Sequence, residues 1–280
     1  MISLIICSRS QTISSTLVEN IKNTIGCEYE LIVVDNSESK YSIFEAYNIG
    51  ILRSTTSYLV FIHEDLVFRT TNWGSHIINL FEENTKFGLI GVAGSKIKTK
   101  TPSGWWDCEN NYKLVNIIQH HKNGNVETQK IGFETNNLEE AAVIDGVFLA
   151  FRKLKDVRFN ESLKGFHSYD LNICFEVLLK GYKIGVTDLV LIEHYSIGNI
   201  NAEWLRSTIQ IHKLYKKILP LSINTNKTRE AEIFCLERLL NKLIFFKEKK
   251  LFMQYWTKLF LINPFSKKHG EVIKTIIKKI

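Results

Sequence analysis

The chain has 280 residues, of which 45% are hydrophobic and 23% charged, with only 3 prolines and 15 glycines. That balance excludes a fibrous or disordered chain and leaves room for one large domain or two small ones. No apolar run approaches the roughly 18–20 residues that a bilayer span needs. The net charge of +7 hides an asymmetry: residues 1–200 carry 19 Lys+Arg against 23 Asp+Glu, a net of −4, whereas residues 201–280 carry 17 against 6, a net of +11. The shift predicts a boundary near residue 200, between a mildly acidic domain at 1–200 and a basic extension at 201–280. Cys7, Cys27, Cys108, Cys174 and Cys235 are scattered and form no C-x-x-C pair. Neither a zinc site nor a disulfide framework is expected, and a reducing cytosol suits them better. The opening MISLIICSRS has no basic n-region and reads as a first strand, not a signal peptide.

Ile2 to Cys7 forms the first apolar run, followed by a helical face of Ile13, Leu17 and Ile21. Tyr29 to Val34 is a second strand and ends at the turn formers Asp35, Asn36 and Ser37. A helix through Ile43, Tyr47 and Ile51 leads to the third strand, Tyr58 to Ile62, which runs straight into His63, Glu64 and Asp65. Thr70 to Glu83 reads as a helix and Leu89 to Val92 as a fourth strand. This alternation predicts a parallel sheet with right-handed crossovers. No G-x-G-x-x-G follows the first strand and no G-x-x-x-x-G-K-[ST] occurs, which lowers the dinucleotide and P-loop options. Open α/β sheets bind ligands at the C-terminal ends of their strands. Two carboxylates and an imidazole emerging at such an end suit a divalent cation.

Ser95 to Asn137 is polar and contains Pro102, Trp105 and Trp106, with a hairpin expected around Lys122 to Asn125. The paired tryptophans form either a flat platform for a sugar or base or a plug between loop and sheet. In Glu139 to Lys153 two apolar stretches flank Asp145-Gly146, where glycine permits close approach and the carboxylate faces a pocket. A helix over Tyr169 to Lys180 starts beside His167 and Asp170 and stops at Gly181. Strands at Tyr182 to Val186 and Leu189 to Ile192 then lead to Glu193 and His194. Beyond residue 200 the pattern is helical, through Trp204, Ile211 and Tyr215, then Ile233, Leu236, Leu240 and Leu243. Leu251 to Ile262 is apolar nearly all round, which suggests burial. A last stripe of Val272, Ile273, Ile276, Ile277 and Ile280 opposes Lys274, Lys278 and Lys279. Such an end helix either packs on its own domain with lysines in water or lies on an anionic membrane.

Taken in order, the strand entering SRS, YELIVVDNS, YLVFIHED, IDGVFLAFRK and FNESLKGFHSYDLNICFEVLLKGYKIGV…IEH resemble the family 2 type glycosyltransferases of the GT-A fold. The similarity is greatest to the branch of the StrF protein of streptomycin biosynthesis and spans about residues 1–198. It implies a mixed α/β sheet with flanking helices, to which the composition adds a helical C-terminal extension. It also implies a nucleotide-diphosphate sugar held by Ser8, Arg9, Asp35, Asn36, His63, Glu64 and Asp65. The usual Asp-Asp pair reads Asp35-Asn36 here, leaving Asn36 an amide for a base edge, and the usual D-x-D reads His63-Glu64-Asp65. Asp65 matches the metal position, His194 the histidine that completes it, and the ion is Mn²⁺ or Mg²⁺. Asp170 matches the general base of inverting members, with His167 as the rival base. Trp105, Trp106 and Phe148, with Asp145 and Gly146, are expected on the acceptor side.

Each role has a chemical reason. A cation offsets the charge growing on the leaving diphosphate, and a carboxylate that takes the acceptor's proton contributes about 10²–10⁴-fold. The expected protein is a metal-dependent inverting glycosyltransferase of bacterial-type glycan, polysaccharide or glycoconjugate synthesis. Its acceptor is a glycan, a lipid-linked molecule or a small hydroxyl compound. Its expected place is the cytoplasm, with peripheral contact at the inner membrane face through the C-terminal helices. Two rival readings are a degenerate nucleotide-sugar-binding module, motivated by His63 and Asn36, and a nucleic-acid binder acting through the basic tail. The tail's aromatic residues fall at core-like helical spacings and not as a stacking ladder, so no nucleic acid is expected.

Overall fold

The computed structural model describes residues 1–277 apart from 122, 135, 197 and 199, with backbone only for 273–277. The predicted apolar and lysine stripe beyond Val272 therefore lies outside the described side chains. The strands are β1 (Ile2–Ser8), β2 (Tyr29–Asp35), β3 (Tyr58–Ile62), β4 (Leu66–Phe68), β5 (Phe87–Gly91), β6 (Ala93–Ser95), β7 (Ile97–Lys98) and β8 (Lys113–His120). They continue as β9 (Val126–Ile131), β10 (Leu138–Ala141), β11 (Val143–Ile144), β12 (Phe148–Arg152), β13 (Lys183–Thr187), β14 (Ile192–His194) and β15 (Leu221–Ser222). The helices are α1 (Ser15–Thr24), α2 (Ile43–Arg53), α3 (Trp73–Glu83), α4 (Tyr169–Leu179), α5 (Ala202–Leu214), α6 (Thr228–Phe245), α7 (Lys249–Ile262) and α8 (Lys268–Ile277).

Among the described residues the main sheet has the order β10-β13-β5-β12-β3-β1-β2. β1 pairs in parallel with both β2 and β3, so the C-terminal ends of all three lie along one edge. The expected run of parallel strands is corrected at one place. β5 does not join β3; β12 inserts between them, antiparallel to both. Local periodicity finds strands, but their order is fixed by pairings distant in sequence, and FLAFR is apolar enough to sit mid-sheet. The last expected strand also shifts, from Leu189–Ile192 to Ile192–His194.

The strands read as continuous apolar runs because both faces are covered. On one face Ile5, Phe61, Leu149 and Phe151 pack with Phe44, Tyr47 and Ile51 of α2 and with Ile173 and Val177 of α4. On the other, Leu4, Ile6, Val60 and Ile62 pack with Leu17 and Ile21 of α1 and Trp73 and Ile77 of α3. Each such side chain taken fully out of water contributes on the order of 1.5–3 kcal/mol. α2 begins with a capping box, in which the Ser42 side chain and Glu45 satisfy each other's backbone N–H.

A second sheet, β11-β6-β8-β14-β4, stands beside the first, with β9 paired to β8 across the expected hairpin. Gly124 takes φ +84° in that turn, although Lys122 lies outside the described residues. The extension has a core of its own, built from Trp204, Leu236, Leu240, Leu243, Phe252 and Leu259. It is also joined to the sheet domain. Ile211 and Tyr215 of α5 belong to the large core, and Asn172 of α4 donates to the Tyr215 hydroxyl at 2.7 Å.

Candidate active site

The turn between β3 and β4 projects His63, Glu64 and Asp65 beyond the sheet edge. β14 runs antiparallel to β4 with His194 opposite Leu66, which delivers an imidazole from about 130 residues later next to Asp65. The Tyr195 N–H donates to the Asp65 carbonyl at 3.1 Å and locks the two segments together. Ligand atoms of His63, Asp65 and His194 all lie within 4.8 Å of one another. Asp65 Oδ1 is 3.8 Å from His63 Nδ1 and 3.5 Å from His194 Nε2. Among the described residues this buried oxygen has no hydrogen-bond partner.

Burial pushes the Asp65 carboxyl up, but the two imidazoles and Ser196 outweigh it and hold the group well below the ordinary aspartate range. Burial pushes the His63 ring down. The far nitrogen of each ring is held from behind. Gln119 Nε2 donates to the carbonyls of His194 and Ser196, which turns its Oε1 to accept from His194 Nδ1 at 3.2 Å. The His63 Nε2 lies 2.6 Å from the Tyr169 hydroxyl. Support of this kind aims the near nitrogens at the shared space. Two imidazoles and one carboxylate, whose Oδ1 is buried without a partner, fit a divalent cation.

Around this cluster the strand-edge residues divide. Ser8 is buried and its hydroxyl donates to Glu64 at 2.7 Å, while the exposed Arg9 donates its backbone N–H to the same carboxylate at 3.3 Å. Glu64 therefore ties the β1 and β3 ends together. Asp35 is exposed, and the Ser37 backbone N–H holds its carboxyl below the usual value. Asn36 corrects the expectation of an amide presented to a base. It is buried, donating to the Tyr41 carbonyl and accepting from the Tyr41 N–H, both at 2.9 Å. Its amide closes the loop ahead of α2.

Asp170 opens α4 after Ser168, whose φ of +63° turns the chain sharply into the helix. Its carboxylate accepts the Leu171 N–H at 2.8 Å. Burial, then the like charge of Asp145, push its carboxyl up to about 7. Asp145 accepts from the Val147 N–H at 2.7 Å and from the Trp105 indole N–H. Gly146 is required by Tyr169, because a Cβ there would collide with the phenol hydroxyl. Gly146→Ala should therefore displace Tyr169 from His63 and weaken Mn²⁺ binding by about tenfold or more; an unchanged affinity by calorimetry contradicts this role. His167 is half-buried, with burial lowering its ring and Glu203 of α5 as its charged neighbour.

Two acceptor-side expectations are corrected. Phe148 is fully buried and meets Phe68 and Trp73 edge-on, so it is core and has no face for a sugar. Trp105 and Trp106 form no flat platform: their rings are perpendicular, and Trp106 packs on Trp204 of α5. Only Trp105 stays beside Asp145.

The loop carrying these tryptophans is clamped by the extension. Asp107 is 3% exposed. It accepts from Gly104 N–H at 2.9 Å, Arg238 Nε at 2.8 Å and Lys242 Nζ at 2.8 Å. The buried Lys98 holds the same loop through the Ser103 and Gly104 carbonyls, and burial lowers its amine to about 8. Sequence reasoning missed Lys98, Asp107, Gln119 and Tyr169. Tyr169 could have been noticed as the neighbour of Asp170; the others carry no local signal.

Residues 3–218 match a family profile described as "Glycosyltransferase like family". The chain belongs to this glycosyltransferase family. No curated protein matches it by sequence. Among solved structures, it is similar to GalNAc-T7 with UDP, GalNAc and Mn²⁺, at TM-score 0.52 and 10% identity over 92% of this chain. The chain spans only 56% of that structure. It is also similar to residues 1–349 of S. aureus TarS in complex with UDP-GlcNAc, at TM-score 0.51 and 11% identity over 93% of this chain and 81% of that one. The architecture is the GT-A fold, a mixed sheet with flanking helices and a helical C-terminal region.

Proposed function

We propose that the protein is a metal-dependent inverting glycosyltransferase that moves a sugar from a nucleotide-diphosphate donor to a hydroxyl acceptor. The observation that carries this reading is the convergence of His63 and His194 on the buried, unpartnered Oδ1 of Asp65, with Tyr169, the chain neighbour of Asp170, against the His63 ring. Those three side chains hold Mn²⁺ or Mg²⁺, and a bound ion supplies charge to offset the departing diphosphate. The donor lies over the ends of β1 to β3, near Ser8, Arg9, Asp35 and the Glu64 bridge. UDP in both neighbouring structures supports a uridine donor.

Asp170 takes the proton of the acceptor hydroxyl, and a carboxyl tuned to about 7 is well matched to that step near neutral pH. Trp105 and Asp145 border the acceptor side. His167, further along the same loop, is second choice as base. The sheet domain of 1–200 does the chemistry and the basic extension of 201–280 braces it and faces the acceptor's surroundings. A StrF-like role in bacterial glycan or glycoconjugate synthesis fits, in the cytoplasm and peripheral to the membrane. The 3.8 Å approach of His63 to Asp65 favours this reading over a degenerate binding module on the first of that module's two motives, His63.

The deciding experiment is calorimetric titration of a nucleotide-sugar panel with and without Mn²⁺. A UDP-sugar should bind only when the ion is present, and Asp65→Ala should lower Mn²⁺ affinity by about tenfold or more. Failure of every donor under both conditions removes the proposal.

A further inference from the structure

The sequence suggested that α7, apolar nearly all round, is buried. Only one side is. Phe252 and Leu259 enter the extension's core, while Met253, Phe260 and Leu261 are exposed, and Phe265, just past the helix, is 94% exposed. Met253, Phe260 and Leu261 are seven and eight residues apart, two helical turns, so they share one outward face. Thr257 lies exposed between them. Phe245, at the α6 end of the hairpin, is exposed as well.

Basic side chains frame this face. Lys247, Lys249 and Lys250 are exposed at the α6–α7 turn, and Lys267 lies beyond Phe265. No carboxylate lies within ion-pair distance of these four among the described residues. At the other end Arg229 reaches the Ile262 carbonyl. The extension as a whole carries a net charge of +11, 17 Lys+Arg against 6 Glu. Among the described residues no helix is long and apolar enough to cross a membrane. A helix with one face in its own core, aromatic and aliphatic groups on the other, and lysines at the rim has the make-up of one lying in a bilayer interface.

We propose that the outward face of α7, with Phe260, Leu261 and Phe265 as its apolar anchors, docks on an anionic lipid surface. The phenylalanines enter the head-group and acyl boundary, and Lys249, Lys250 and Lys267 meet lipid phosphates. This rests on the peripheral membrane part of the reading above. It is tested without donor or acceptor, so its failure leaves the transfer chemistry standing.

The full chain is floated with phosphatidylcholine vesicles, with and without phosphatidylglycerol. It should rise only with the anionic vesicles, and less as salt is raised. The triple change F260S/L261S/F265S should cut binding by about tenfold or more, and Lys249→Ala with Lys250→Ala should cut it and flatten its salt dependence. All these side chains are exposed, so circular dichroism should be unchanged. Absence of flotation on anionic vesicles overturns the proposal, as does flotation indifferent to the triple change. Sedimentation showing a dimer that the triple change dissolves also overturns it, because a second copy then covers the face.

Discussion

Replacing Asp170 by Asn should lower sugar transfer by about 10²–10⁴-fold while donor and Mn²⁺ binding persist. The substitution keeps the size and the acceptor oxygen that meets the Leu171 N–H, and removes only the ability to take a proton. The pH dependence follows from the same residue. A base works deprotonated, so transfer by the unaltered protein should rise through about pH 7, the value to which burial and Asp145 push this carboxyl. Stability should move the opposite way. The folded state holds this proton more tightly than the unfolded chain, whose aspartates titrate near 4. Its contribution is therefore lost between about pH 4 and about pH 7 as pH rises. Asp170→Asn lifts that penalty, so the variant should be at least as stable as the parent at pH 8. Full activity in the variant would reassign the base, with His167 next to be changed.

Asp107→Ala should destabilise the fold by about 3–5 kcal/mol, because it strands cations and a Gly104 N–H around a buried gap. The lower end applies, since the Arg238 side chain is half-exposed and finds water. Lys242 is the costly one, at 15% exposure. Urea unfolding measures the loss; a change within experimental error would show that the clamp contributes nothing. Loosening the loop also frees Trp105 from Asp145, so the residual folded enzyme should show a raised KM for acceptor with donor affinity little altered.

Much of the scaffold was legible because strands buried on both faces spell themselves out as apolar runs, and helices α2 and α4 announce themselves by spacing. The family resemblance pointed to Asp65 and His194, which the fold brings together. What stayed hidden depends on side-chain direction or distant pairing. Phe148 sits in a strand apolar on both faces, so alternation does not tell wall from core. Asn36 looks available until Tyr41 folds back on it. Nothing near Gln119 or Lys98 in sequence hints at the carbonyls they hold. The place of β12 depends on β3 and β5, both dozens of residues earlier in the chain.

The pairing of β14 with β4 has one more consequence. The segments bearing Asp65 and His194 are hydrogen-bonded neighbours in the polypeptide itself, so capture of a cation requires no strand to travel. Loading should be rapid and structurally quiet. The ion should also act as a gauge of that small sheet: when β4 and β14 part, the ligands part with them. Added Mn²⁺ should then raise the melting midpoint in proportion to the logarithm of its concentration.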